Sequence, residues 1–273
     1  MKLAVVGTGL IGCSFAKAAR RRDLFSEIVG LDADTSQAAT AESLGIIDRV
    51  VDAVPEDADT VLLSPPSDQV AEWVVSLNDH PGVVFDVASV KQPVIKAIRA
   101  ELKRLPPRFV PTHPVAGSER SGPEAASESL FDGKRVVLTP ESETDPSAVG
   151  VVQVLWRAVG AATHTMTAAD HDRVLSVTSH LPHFLAIAFL DQVETDMLTF
   201  AGSGFRDFTR IAAADPDMWA RIFELNKTPL LRSLRDFRRA AKALETAVRQ
   251  GDTDAALAII RSAAERRREF DDG

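Results

Sequence analysis

Short apolar runs alternate with amphipathic stretches over the first 166 residues. Apolar runs at 3–6 and 28–31 predict two strands, and further strands are predicted at 60–63, 83–87, 109–111, 135–139 and 162–166. Helices are predicted directly after the first strand and at 36–44, 68–77, 90–105 and 146–159. This alternation is typical of an α/β fold, in which helices cover a doubly wound parallel sheet.

The pattern changes at residue 167, where strand-like runs end and helical periodicity takes over. Helices are predicted at 170–193, bent near Pro182, and at 218–225, 229–250 and 253–269, with a stop at Gly251. We therefore predict a nucleotide-binding domain over 1–166 and an all-helical domain over 167–273. The helical domain is expected to contribute to substrate binding and to form a homodimer.

The first apolar run leads into Gly7-Thr8-Gly9-Leu10-Ile11-Gly12. In a strand–turn–helix unit, Gly7 makes the tight turn, Gly9 lets the backbone approach a pyrophosphate, and Gly12 lets the helix pack closely on the strand. The helix N-terminus offers free N–H groups and a positive dipole to phosphates. This Rossmann-type arrangement predicts a dinucleotide cofactor. The expected cofactor contacts are Gly7, Gly9, Leu10, Ile11, Gly12, Asp32, Ser64 and Pro65.

Asp32 stands at the end of the second predicted strand. A carboxylate at this position accepts hydrogen bonds from an adenosine ribose. The following Ala33 and Asp34 add a second negative charge and no Arg or Lys, so a 2′-phosphate is repelled. The predicted cofactor is therefore NAD rather than NADP.

The composition narrows the class of protein further. The 273 residues are 45% hydrophobic, enough for a large core, and the net charge of −8 argues against a nucleic-acid partner. No apolar stretch approaches the ~20 residues of a membrane span and the N-terminus shows no signal-peptide pattern, so no membrane association is expected. Cys13 is the single cysteine, which fits a reducing cytoplasm. His and Cys occur at no metal-binding spacing, so no metal is predicted.

Two polar segments follow predicted strands at the carboxyl edge of the sheet. Ser89, in Asp86-Val87-Ala88-Ser89-Val90-Lys91, places a hydroxyl there, although the residues taken alone favour a cap of the next helix. His113, in the segment 112–122, is expected on a loop, where an imidazole can take a hydroxyl proton near neutral pH while hydride leaves the same carbon. A structural histidine bonded to a backbone carbonyl is an equal alternative.

Two more clusters lie in the helical part. In the segment 170–183, His180 and His183 share one helix face, which favours hydrogen-bonded scaffolding over metal ligation because no third ligand has a useful spacing. The segment 202–210 places glycines beside Arg206 and Arg210, a composition typical of a loop that binds carboxylates through guanidinium groups.

Together these motifs resemble the prephenate and arogenate dehydrogenases of tyrosine biosynthesis. The resemblance covers nearly the whole chain, through segments 7–12, 86–91, 113–122, 170–183 and 204–226. It implies NAD-dependent oxidative decarboxylation of prephenate to 4-hydroxyphenylpyruvate. In that reaction hydride leaves ring C4, CO2 is lost from C1, and the ring becomes aromatic.

The resemblance also implies roles for individual residues. His113 would accept the proton of the C4 hydroxyl, and Ser89 would hydrogen-bond the same hydroxyl and the histidine. Arg210 would bind a substrate carboxylate, and Glu119 would form a polar network with it through Asp207. The remaining pocket or supporting positions are His171, Ser179, His180, His183 and Trp219.

Several alternatives stay open at this stage. Arogenate, in which an amine replaces the side-chain ketone, and amino-substituted analogues of prephenate are alternative substrates. Some members of the family carry a further regulatory domain; the chain ends after the helical part, so any inhibition by tyrosine is expected at the active site.

Two unrelated functions compete with this interpretation. A β-hydroxyacid-type dehydrogenase also joins a Rossmann domain to a helical one, but it needs a catalytic lysine there, and neither Lys227 nor Lys242 has a suitable setting. A nucleotide-sensing Rossmann module would not need the set of His113, Ser89 and Arg210.

Overall fold

A six-stranded sheet forms the centre of the N-terminal part of this computed structural model, which describes residues 1–118 and 120–271. Its strands lie in the order β3-β2-β1-β4-β5-β6, and every neighbouring pair is parallel. This is the strand order of the dinucleotide-binding fold, with the reversal of strand order between β1 and β4. The predicted α/β class and doubly wound sheet are confirmed.

The strands and helices follow the predicted alternation closely. The strands are β1 Lys2–Val6, β2 Glu27–Leu31, β3 Arg49–Val50, β4 Thr60–Leu63, β5 Val83–Asp86, β6 Phe109–Val110, β7 Thr112–Pro114, β8 Arg135–Leu138 and β9 Ala162–Thr165. The helices up to β9 are α1 Leu10–Arg21, α2 Thr35–Ser43, α3 Val70–Ser76, α4 Gln92–Leu102 and α5 Pro146–Ala158. The two-residue strand β3 was not anticipated, because two residues are too few to show a period.

A second, three-stranded sheet places His113 on a strand rather than on the predicted loop. Strand β7 pairs antiparallel with β8, which pairs parallel with β9, and His113 lies opposite Val137. Only Pro111 separates β7 from β6, and a proline cannot donate to a strand ladder. The chain therefore leaves the first sheet at Pro111 and enters the second.

Two apolar cores cover the faces of the main sheet. On strand β4, Leu62 belongs to one core while Val61 and Leu63 belong to the other, as the alternation of a strand requires. Phe15 and Trp156 meet edge to face in the first core, with ring centroids 5.0 Å apart. Both cores hold the carboxyl ends of the strands rigidly in place, where the polar segments lie.

The helical part begins with a continuous helix that contains an irregular turn. Helix α6, Ala168–Leu175, continues through a π-helical turn, Ser176–His180, into α7, Leu181–Leu190. The bend was predicted near Pro182, and the irregular turn lies just before it. Proline has no N–H group, so a carbonyl oxygen in the preceding turn loses its helical hydrogen bond.

The later helices bring one correction. They are α8 Ser203–Thr209, α9 Pro216–Leu225, α10 Lys227–Gln250 and α11 Thr253–Asp271, with short 3₁₀ turns at Pro123–Ala125, Thr195–Phe200 and Arg210–Ala213. The segment 202–210, expected as a flexible loop, is therefore mostly helix. Gly251 ends α10 with φ +67°, as predicted.

The chain forms two compact units, Met1–Lys227 and Thr228–Gly273. The predicted domain boundary at residue 167 stays a prediction.

One segment, Ala168–Leu190, is long and apolar enough to cross a membrane by length and composition alone, contrary to the expectation that no apolar stretch approaches that length. However, its His171 and Asp172 bond residues of the nucleotide-binding part, as a packed helix of a globular domain does. Only 28% of the 18-residue apolar window within this segment is buried, and Ile187 and Phe189 of α7 lie on the surface.

Candidate active site

The glycine-rich turn between β1 and α1 has the geometry of a phosphate cradle. Gly7 has φ +89°, and a Cβ there would lie 2.5 Å from the carbonyl oxygen of Ser64. A Cβ on Gly12 would lie 2.2 Å from the carbonyl oxygen of Gly7, whereas one on Gly9 would meet nothing within 4 Å. The first helical bond runs from Cys13 to Gly9, so the N–H groups before Cys13 have no partner within the helix. The turn therefore fits a bound pyrophosphate.

Asp32 connects the end of β2 to this turn through hydrogen bonds. Its carboxylate accepts the N–H of Thr8 at 2.6 Å, the hydroxyl of Thr8 at 3.2 Å and the N–H of Asp34 at 2.9 Å. The half-buried carboxylate is thus fixed beside the glycine-rich turn, where its charge opposes a 2′-phosphate.

A buried ion pair lies at the carboxyl end of β5. Lys91 Nζ is 2.5 Å from Asp86 Oδ2, and both side chains are fully buried. The same ammonium donates to the carbonyl oxygen of Thr112, the residue before His113, while the N–H of Thr112 donates to Asp86. The pair therefore fixes the backbone from which His113 projects. Sequence reasoning noted both residues only as parts of the motif around Ser89.

His113 begins a buried series of hydrogen bonds. Its Nδ1 is 2.8 Å from Nε2 of His171, and Nδ1 of His171 is 2.8 Å from Oδ1 of Asp172. Burial lowers the pKa of His113 well below its usual value, and the charges of His171 and Lys91 lower it further. The pKa of His171 is also lowered by burial. His113 is therefore neutral near pH 7, the form that can accept a proton.

Asp172 also caps the helix that follows Ser89. Its carboxylate accepts the N–H of Lys91 at 2.8 Å and of Gln92 at 2.9 Å, whereas no side chain of α4 itself caps the helix. Ser89 therefore does not fill the alternative role of a helix cap. Its side chain is half-buried, and its N–H donates to the hydroxyl of Ser67 at 3.3 Å.

His180 is fixed by Asn226, a residue given no role from the sequence. The amide of Asn226 donates to the carbonyl oxygen of Asp172 and to Nδ1 of His180, each at 2.9 Å. Nδ1 of His180 is thus an acceptor, which leaves the hydrogen on Nε2. Burial lowers the pKa of His180 to about 4, so its ring is neutral as well.

His183 and Trp219 form a stacked pair, and the charge of Arg210 acts on His183. The two rings stack with centroids 3.6 Å apart, and Nδ1 of His183 donates to the carbonyl oxygen of Ser179 at 2.9 Å. Burial is the main cause of the lowered pKa of His183, and the charge of Arg210 lowers it further. Trp219 also meets His180 edge to face at 6.1 Å. Ring contacts thus link His183 to His180, and Arg210 lies near enough for its charge to act on His183.

The remaining candidate residues are His171, Asp207, Ser179 and Glu119. His171 is fully buried and both of its ring nitrogens bond protein groups, so it occupies a supporting position. Asp207 is exposed on α8, and Ser179 is half-buried in the π-helical turn. Glu119 lies outside the described residues. Across residues 1–118 and 120–271, no cluster of three or more His, Cys, Asp or Glu is arranged to hold a metal ion.

The fold, the glycine-rich turn and the buried base define a dinucleotide-dependent oxidoreductase. Comparison with known protein families narrows this class to one family. Residues 15–165 match the nucleotide-binding domain of prephenate dehydrogenase, and residues 167–262 match the dimerization domain of the same enzyme. The chain therefore belongs to the prephenate dehydrogenase family, and it is an NAD-dependent dehydrogenase.

Individual relatives agree with this assignment. The chain is 34% identical to the cyclohexadienyl dehydrogenase of Zymomonas mobilis, over 92% of this chain and 90% of that protein. It superposes with a TM-score of 0.91 and 32% identity on prephenate dehydrogenase of Aquifex aeolicus in complex with hydroxyphenyl propionate and NAD+, covering 99% and 98% of the two chains. Arogenate dehydrogenase of Synechocystis gives a TM-score of 0.83 at 28% identity, covering 99% and 100%.

Proposed function

We propose that the protein converts prephenate to 4-hydroxyphenylpyruvate. The observation that carries this proposal is the buried, neutral His113, which lies beyond the carboxyl end of the sheet and has one ring nitrogen bonded to His171. Nε2 is then available to a substrate hydroxyl. The bound nicotinamide supplies the hydride acceptor for ring C4.

The chain's own groups bind the substrate and move one proton. Nε2 of His113 accepts the proton of the C4 hydroxyl, and Ser89 hydrogen-bonds that hydroxyl. As hydride leaves C4, the electron pair of the O–H bond forms a C4–O double bond. The pair of the C1–carboxylate bond then enters the ring as CO2 departs, and the C4 oxygen of the aromatic product takes its proton back from His113. Positioning of the ring and proton transfer are therefore the protein's two tasks.

Substrate binding requires positive charge, because prephenate carries two carboxylates. Arg210 supplies a permanently charged guanidinium whose charge lowers the pKa of His183, the residue stacked on Trp219. We assign one substrate carboxylate to Arg210. The proposed contacts or supports around it are Glu119, His171, Ser179, His180, His183, Asp207 and Trp219.

The glycine-rich turn and Asp32 are proposed to hold NAD. The N-terminus of α1 would bind the pyrophosphate and Asp32 the adenosine ribose, with Ser64 and Pro65 beside the turn. Replacing NAD by NADP should sharply reduce turnover. Equal turnover with both cofactors would contradict the role of Asp32.

Arogenate is the second candidate substrate, favoured by the similarity to the Synechocystis arogenate dehydrogenase. The deciding experiment follows NADH absorbance when the purified protein receives NAD with prephenate or with arogenate. The proposal predicts a higher kcat/KM for prephenate. A higher value for arogenate would replace it by the alternative, and no NADH with either substrate would refute both.

We further propose that two copies pair through the surface of α7. Ile187 and Phe189 are exposed there, and an apolar groove of about 470 Å³ is lined by Phe184, Ile187, Ala188, Leu190, Asp191, Ala212 and Phe223. The family match over 167–262, a dimerization domain, favours a second copy as the occupant. Analytical ultracentrifugation should give a dimer, and the Ile187→Glu variant should shift it toward monomer. A wild-type monomer at micromolar concentration would contradict this.

The cytoplasm is the compartment we propose for the protein. The single cysteine, Cys13, is buried as a free thiol, and burial raises its pKa to about 12. This arrangement suits a reducing compartment. Fractionation of source cells should recover the protein in the cytosol rather than in the membrane pellet.

A further inference from the structure

The series His113, His171 and Asp172 contains enough hydrogen-bond donors to define where every proton lies. Asp172 Oδ1 accepts the N–H of Lys91 at 2.8 Å, and Oδ2 accepts the N–H of Gln92 at 2.9 Å. Backbone N–H groups can only donate, so both oxygens of Asp172 are acceptors. Both oxygens lie at the N-terminus of α4, where the two N–H groups and the helix dipole favour a carboxylate that only accepts hydrogen bonds.

The tautomer of each ring follows from this carboxylate. Because Oδ1 of Asp172 accepts, Nδ1 of His171 must donate across the 2.8 Å contact. A neutral imidazole has one donor and one acceptor nitrogen, so Nε2 of His171 is an acceptor. Across the next 2.8 Å contact, Nδ1 of His113 must then donate. The unshared electron pair of His113 is therefore on Nε2.

We infer that Asp172 and His171 are positioning residues for the oxidation, which fix His113 in the tautomer whose Nε2 accepts the substrate proton. The inference rests on the proposed function for the substrate but not for the tautomer itself. Without an acceptor at His171, the neutral ring of His113 samples both tautomers, and the one protonated at Nε2 cannot act as a base. Neither positioning residue needs to touch the substrate.

Burial protects the hydrogen bonds that hold the ring of His113. His171 and Asp172 are 0% and 1% exposed, and His113 is 8% exposed, so water does not compete for these hydrogen bonds. The rings of His113 and His171 also meet at 69°, with centroids 5.0 Å apart, which limits rotation of either ring. In a dry site an imidazole in the wrong tautomer would leave two donors facing each other.

The direct test is the tautomer of His113, read from its two side-chain ¹⁵N shifts in histidine-labelled protein without substrate. Comparison with a His113→Gln sample assigns the signals. The expected result near pH 7.5 is a protonated Nδ1 and an unprotonated Nε2. A protonated Nε2 in the wild-type protein would overturn the inference, whatever the protein does with prephenate.

Variants then separate positioning from a merely structural role. His171→Phe removes the acceptor while keeping a ring, and we expect kcat to fall at least a hundredfold with less than threefold change in the KM for NAD. His171→Gln can place an amide oxygen at the position of Nε2, so it should recover part of kcat and the Nδ1-protonated signal. Unchanged kcat in His171→Phe would refute the role.

Asp172→Asn tests the other end of the series. When its NH2 group takes the position of Oδ1, it donates to Nδ1 of His171, which reverses the direction of both hydrogen bonds and places the hydrogen of His113 on Nε2. The ¹⁵N pattern of His113 reports which orientation the amide adopts. We expect a large loss of kcat together with the reversed ¹⁵N pattern. The matched control is His80→Gln, which changes a half-buried histidine bonded at both nitrogens, to Pro55 and Gly82, without affecting kcat. The inference requires kcat to follow the tautomer of His113, so a wild-type kcat together with the reversed ¹⁵N pattern in Asp172→Asn would contradict it.

Discussion

His183 lies flat against Trp219, with ring centroids 3.6 Å apart and an angle of 19° between the planes. The stack buries the indole, yet Nε1 of Trp219 has no hydrogen-bond partner among the residues that the structure describes. A buried donor without a partner costs free energy unless a ligand satisfies it. Because the charge of Arg210 acts on the adjacent His183, we propose a substrate carboxylate as the acceptor.

Trp219→Phe should therefore raise the KM for prephenate while leaving the KM for NAD unchanged. Phenylalanine keeps a ring against His183 but removes the N–H, and a hydrogen bond to a charged group contributes about 1.5–3 kcal/mol, roughly tenfold to a hundredfold in affinity. Steady-state kinetics measures both constants. Trp156→Phe is the matched control, because Trp156 also has a buried Nε1 without a partner in the described chain but lies in the core. An unchanged KM in Trp219→Phe would exclude this contact.

Arg210→Ala should weaken substrate binding much more than cofactor binding. Loss of a guanidinium that holds a carboxylate costs about 2–5 kcal/mol, so the KM for prephenate should rise at least about thirtyfold. Binding of NAD, measured by fluorescence titration, should stay within a factor of two. Arg221→Ala, which breaks an exposed ion pair with Asp68, is the control and should change neither constant. Wild-type affinity for prephenate in Arg210→Ala would refute the assignment.

Removing one charge from the buried pair of Lys91 and Asp86 should lower the free energy of unfolding more than removing one from an exposed pair. Lys91→Met leaves Asp86 buried without its counter-ion, which costs about 3–5 kcal/mol of unfolding free energy. Arg239→Ala breaks a pair whose side chains are 82% and 57% exposed, and should change the unfolding free energy by less than about 1 kcal/mol. Urea denaturation measures both, and equal effects would contradict the difference in burial as the cause.

Stability should fall as the pH drops from 6.5 toward 4. The pKa of His180 is lowered to about 4 in the folded protein, while the unfolded chain keeps about 6.5, so the unfolded state binds more protons in this range. Burial is the main cause. Asp172 raises this pKa, while His171 and His183 lower it further. The contribution of His180 is present above pH 6.5 and is lost through this window, about 3 kcal/mol.

Urea denaturation at several pH values measures this loss. His180→Asn can offer its amide oxygen to Asn226 in place of Nδ1, and it has no titratable group, so its stability should depend less on pH. His164→Asn, at an exposed position on β9, should keep the wild-type dependence. The same pH dependence in wild type and His180→Asn would show that His180 is not responsible.

The sequence by itself determined the fold class and identified NAD as the cofactor. Strand β4 was predicted with its observed bounds, because Thr60 and the three apolar residues after it form a short run between turn-forming segments. Gly7 and Gly12 were given their roles from spacing alone, since the close contacts at both positions arise within one strand–turn–helix unit. Local patterns suffice where the interacting atoms are close along the chain.

Only the tertiary structure decided how the ring of His113 is held. The hydrogen bond from His113 to His171 joins residues 58 positions apart, and Asp172 caps a helix that begins 80 positions earlier. Lys91 and Asn226 carry no pattern that predicts burial, and both are buried because long-range packing surrounds them. Hydrogen bonds between distant elements depend on packing in three dimensions, which the order of residues does not display.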